Sequence, residues 1–110
     1  MKNKKPTLID HNLLAIHKRI GEKLLQNPNL IEKVEDKLET RFKSNLIYRS
    51  IYLDWWAVLE LKDDINSLVA QLCVQSEQMN KLRRYSPFVG ILSESEREAF
   101  FNQLENNDNI

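Results

Sequence analysis

The sequence predicts an all-α fold, a single-domain bundle of five to six helices that opens with an antiparallel helical hairpin. Three observations predict it. Only two glycines and three prolines interrupt 110 residues, too few for a turn-rich β structure. Apolar residues recur at three- and four-residue spacing through most of the chain. The breaks between the periodic stretches carry residues that start or stop helices, among them Asn27-Pro28, Asp63-Asp64, Ser76 and Ser93. A chain of this length supports one hydrophobic core rather than two, so residues 1–110 are read as one domain, with 1–7 and 106–110 as loose tails.

The first helix runs from about Leu8 to Leu25. Its apolar stripe is Ile9, Leu13, Ile16, Ile20 and Leu24, widened by Leu14 and Leu25, and Lys18, Arg19, Glu22 and Lys23 fall on the other side. His17 and Gly21 lie inside the apolar arc. A mid-helix glycine costs about 1 kcal/mol relative to alanine, which a neighbour in need of the space explains; His17 reads as a packed, hydrogen-bonded histidine. At Asn27-Pro28 the helix stops and another starts, with Pro28 suited to the first helical position. Leu30, Ile31, Val34, Leu38 and Phe42 form the apolar face of the second helix, and the short link makes the pair a hairpin.

The segment Leu46 to Leu61 is the most hydrophobic in the chain. Its Ile- and Tyr-rich first half has strand character, but no second strand is available to pair with it, and helix is the expectation. Its apolar residues surround the helix axis, so it is either the central element of the core or, in part, a dimer face. Trp55 and Trp56 point about 100° apart, which leaves one of them as a candidate interface anchor. Asp63 and Asp64 cap the next helix, whose inward stripe is Ile65, Leu68, Val69, Leu72 and Cys73. Ser76 caps a short helix with Met79 and Leu82, and Pro87 ends it near Arg84 or Tyr85. Phe88, Val89, Ile91 and Leu92 are too apolar for a solvated loop and are expected to fold under as a plug, with Gly90 permitting a tight turn. Ser93 and Glu96 form a capping box for a last helix carrying Phe100, Phe101 and Leu104.

The net charge of zero gives no electrostatic case for sequence-independent nucleic-acid binding. It conceals an asymmetry: residues 1–43 hold ten Lys/Arg against six Asp/Glu, and residues 44–110 hold six against ten. The single cysteine, Cys73, forms no intrachain disulfide. No apolar stretch follows the basic start as in a signal peptide, and no run is long enough to span a bilayer, so a cytoplasmic location is expected. His11 and His17 stand about 240° apart on a helix without a nucleophile-activating arrangement. No catalytic, metal-binding or cofactor-binding residues are assigned.

The run Leu82-Arg83-Arg84-Tyr85-Ser86-Pro87-Phe88-Val89-Gly90-Ile91-Leu92-Ser93-Glu94-Ser95-Glu96-Arg97 resembles the C-terminal pattern Leu-Arg-Gln-x-Ser-Pro-Phe-x-Gly-x-Leu-x-x-x-Glu-Arg of a group of small uncharacterised bacterial helical proteins. The stretch Ile16 to Pro28 resembles the same group's opening helix and its Asn-Pro break. Arg84 stands where that pattern usually has Gln. The resemblance implies a small antitoxin-like partner protein of the kind encoded in two-gene cassettes.

The residues and the resemblance together lead to a protein-binding module that neutralises or regulates a partner protein, with homodimerisation also possible. Trp55, Trp56, Arg83, Arg84, Phe88 and Arg97 are the expected contact residues, since aromatic and Arg anchors dominate binding energy. The alternative is a nucleic-acid-associated regulator using Lys2, Lys4, Lys5 and the basic first hairpin.

Overall fold

The computed structural model describes residues 5–108, with side chains to 103. It contains six α-helices: α1 (Leu8–Gln26), α2 (Ile31–Lys43), α3 (Arg49–Leu59), α4 (Ile65–Leu72), α5 (Glu77–Arg84) and α6 (Glu94–Asp108). Short 3-10 turns lie at Pro28–Leu30, Glu60–Asp63 and Val89–Ile91. None of these helices is long and apolar enough to cross a membrane.

The helix boundaries follow local chemistry. Thr7 caps α1 with a full capping box: its hydroxyl accepts from the Asp10 N–H, and the Asp10 carboxylate accepts from the Thr7 N–H. Thr7 of the expected loose arm is therefore tied into the helix, and residues 1–4 lie outside the described residues. After α2, Asn45 adopts a left-handed φ of 59°. The Leu46 N–H then donates to the Arg41 carbonyl and the Asn45 N–H to the Phe42 carbonyl, closing the helix end as a Schellman motif. Asp64 and Ser76 cap α4 and α5 through the Ser67 and Met79 N–H groups. The predicted Ser93–Glu96 box is present in both directions. The expected tail from 106 is helical through Asp108, and residues 109 and 110 lie outside the described residues.

The core gathers Ile16, Ile20 and Leu24 of α1, Ile31, Val34 and Leu38 of α2, Ile51, Trp55, Val58 and Leu59 of α3, Leu68 and Leu72 of α4, and Met79 and Leu82 of α5. Helix α1 packs most broadly on α4 and α5. Gly21 makes that approach possible, since a Cβ there would stand 2.6 Å from Val69 Cγ1. The turn Val89–Ile91 lies against both α1 and α2, and these two helices meet through the Pro28–Leu30 turn between them rather than along their lengths as the expected antiparallel hairpin would. Ile9 and Leu25, placed on the α1 stripe by periodicity, are 65% and 45% exposed, and Leu25 stands a step of about 100° past fully buried Leu24.

Candidate functional site

The Ser-Pro-Phe-x-Gly segment is the plug that its composition predicts. Phe88 is fully buried and its ring meets Trp55 at 5.3 Å between centroids. Ile91 and Leu92 join the same core. The Ser86 hydroxyl donates to Nε2 of His17 at 2.7 Å and accepts from the Phe88 N–H at 3.1 Å. Nδ1–H of His17 donates to the Leu13 carbonyl at 2.7 Å, and this bond fixes the tautomer that leaves Nε2 as the acceptor. Burial pushes the His17 pKa down to about 4, so the ring is neutral at physiological pH. Gly90 has no positive φ; what it provides is space, because the Lys37 ammonium occupies the place a Cβ would take.

A hydroxyl on a neutral imidazole is the arrangement that activates a serine nucleophile. Here the imidazole is oriented by a backbone carbonyl, and both residues are buried. A nucleophile needs open space beside its oxygen for an incoming carbonyl. The pair instead docks the plug to α1.

Three of the six expected contact residues are enclosed by the fold. Trp55 and Phe88 are each fully buried in the core, since the 100° between the tryptophans sends Trp55 inward. Arg83, expected to be an accessible contact residue, is 1% exposed. Its guanidinium donates to the Leu72 and Val74 carbonyls and to Asn80 Oδ1, closing the end of α4 from α5. Apolar character at Trp55 and Phe88, and charge at Arg83, could not separate a core role from a contact role.

The other three are accessible to different degrees. Trp56 is half-buried and its Nε1–H donates to Glu39, which also accepts from the Tyr52 hydroxyl. Arg97 is exposed on the first turn of α6. Together with burial and with Arg41, its charge lowers the pKa of Lys37. Arg84 is the last residue of α5. It makes a two-pronged bond to buried Asp10 at 2.8 Å for each prong, and with the Thr7 N–H this holds the Asp10 carboxyl down to about 2. Of the basic residues on α1, Arg19 and Lys23 both converge on Glu96.

The Asp10–Arg84 pair ties the first turn of α1 to the last turn of α5, and an accessible surface gathers around that tie. Tyr85 follows Arg84 and is 39% exposed; Tyr48, 70% exposed, packs edge-on against it at 6.4 Å. Leu8 and Ile9 stand beside Asp10 on the exposed first turn of α1. A groove of about 1120 Å³ opens here between α1 and α5, lined by Asp10, Arg84 and Tyr85 with Lys5, Lys81 and Glu77 among its other walls. Of this set the sequence pointed to Arg84 as a protein contact and to Lys5 only under the nucleic-acid alternative. The Thr7-x-x-Asp10 capping signature was a signal for Asp10, whereas nothing in the local pattern joins Tyr48 to Tyr85. Compared with family models, with curated proteins and with solved structures, the chain matches none.

Proposed function

We propose that this chain is a protein-binding module, antitoxin-like in character, that regulates a partner protein through the end of the bundle formed by Tyr48, Arg84 and Tyr85. The observation that supports this reading most is the composition of that end. Two tyrosines and an arginine, the residue types richest in binding energy, are held outward by an aromatic contact and an ion pair. Arg84 is positioned in the free protein, so little side-chain ordering remains to be done on binding. Lys5 and Lys81 in the groove wall favour a partner segment that brings carboxylates to the aromatic pair.

Coexpression with the products of neighbouring genes, followed by calorimetric titration, tests the reading. One neighbour is expected to copurify, and Tyr85→Ala and Tyr48→Ala are expected to weaken it by about 2 kcal/mol each, roughly thirtyfold in Kd. Substitutions at these exposed rings leave folding intact. Loss of the reading would follow if no neighbour is retained, or if both variants bind as the parent does.

A further inference from the structure

Helix α3 carries a second surface that the partner reading does not use. Its buried arc is Ile51, Trp55, Val58 and Leu59. On the opposite side Arg49, Ser50, Leu53, Ala57 and Glu60 are all exposed, with Leu53 at 50% and Leu61 beyond it at 38%. Arg49, Leu53, Trp56 and Glu60 follow one another at four-, three- and four-residue steps, so they form a single stripe along the helix. Ala57 and Ser50 flank it with small side chains that let another helix come close.

The charges at the two ends of this stripe are reversed with respect to their own helix. Arg49 is the first residue of α3 and Glu60 its C-cap, whereas the helix dipole favours an acid at the start and a base at the end. Among the described residues neither has an ion-pair partner within the chain. An antiparallel neighbour identical to α3 answers both mismatches. It places the end of its own helix, with Glu60, beside Arg49, and the start of its helix, with Arg49, beside Glu60. It also sets Leu53 of each copy level with Trp56 of the other, with Ala57 beside them.

We infer that the outward face of α3 is a two-fold, self-complementary interface that docks a second copy of this chain, with Leu53 and Trp56 at the crossing and Arg49 opposite Glu60 at each end. The surface is isologous, as a two-fold dimer requires. An eleven-residue helix is about 16 Å long, and one crossing of that length covers less than the ~800 Å² per partner of an ordinary stable interface. The dimer is therefore weak and concentration-dependent.

Sedimentation equilibrium of the purified protein alone tests this, and its outcome is separate from that of any titration with a second protein. A monomer–dimer equilibrium is expected. L53E is expected to remain folded by circular dichroism and to be monomeric throughout the concentration range. R49E, which sets like charges against each other, is expected to weaken the dimer at least about tenfold. R49E/E60R restores the ion pair but sets each charge beside the like-signed end of the neighbouring helix, so it should associate more tightly than R49E and less tightly than the parent. A parent that stays monomeric into the millimolar range, a dimer that survives L53E, or a double variant no tighter than R49E would overturn the inference.

Discussion

The plug from Ser86 to Leu92 and the outer face of α3 are both rich in apolar residues, yet the fold treats them in opposite ways. The plug is taken into the core, with Phe88 packed on Trp55 and Ser86 bonded to His17. The face of α3 stays in solvent, with Leu53 half exposed. The difference lies in backbone geometry. An irregular segment can turn several consecutive side chains toward one neighbour and satisfy its polar groups with a few anchors. A helix distributes its side chains around its axis, and packing on one side leaves the other side open. Hydrophobicity along the chain thus marks both regions, and secondary structure decides which one remains free to bind.

The contrast can be broken most severely at Phe88. Phe88→Ala removes a fully buried ring and is expected to cost about 4 kcal/mol in urea unfolding; a loss under about 1 kcal/mol would mean that the plug is not core. Arg83→Ala should follow at about 3 kcal/mol, because it strips the Leu72 and Val74 carbonyls of their donor in a closed site. An exposed arginine would cost almost nothing.

The anchor of the plug also predicts a pH dependence. His17 is neutral in the fold, with its pKa lowered from 6.5 to about 4 by burial. The unfolded chain takes up the proton first, so His17 leaves stability unchanged above pH 6.5 and removes it progressively as the pH falls toward 4. The whole limb amounts to no more than about 3 kcal/mol. Thermal unfolding from pH 8 to 4 should show this decline, and His17→Leu should flatten it. Below the ordinary carboxylate range a second decline is expected from Asp10 and Glu96, both held down to about 2 by their basic and backbone donors. The smallest effect belongs to the other region: Leu53→Ala in dilute, monomeric protein should change unfolding stability by no more than about 0.5 kcal/mol.

Much of this architecture was legible in the sequence. Helical periodicity, the Ser76 and Ser93 caps and the Pro87 stop each report a local preference that the fold satisfies, and the inward turn of the plug follows from its run of apolar residues, although Phe88 within it was also expected to be a contact. Of the candidate site, Arg84 was legible as a protein contact and Lys5 only as part of a basic arm. Arg83 and Arg84 are adjacent and chemically identical, yet one faces the end of α4 and the other faces Asp10, 74 residues away along the chain. Their assignment depends on which helix ends α5 meets, and no local pattern encodes that. The same limit applies to Tyr48 and Tyr85, which are brought together across 37 positions. Trp55 and Trp56 differ by one step on a helix whose buried arc is set by α2, α4 and α5, so periodicity narrowed the choice to one of two rings without selecting it.

Hydroxyl-radical footprinting reads these side chains in a single sample and tests most directly the claim that the plug is core and the tyrosine pair is surface. Rapid modification of Tyr48 and Tyr85 is expected, with slower modification of half-buried Trp56 and protection of Trp55 and Phe88 until the chain unfolds. Modification of Phe88 at the rate of Tyr85 in the folded protein would contradict it.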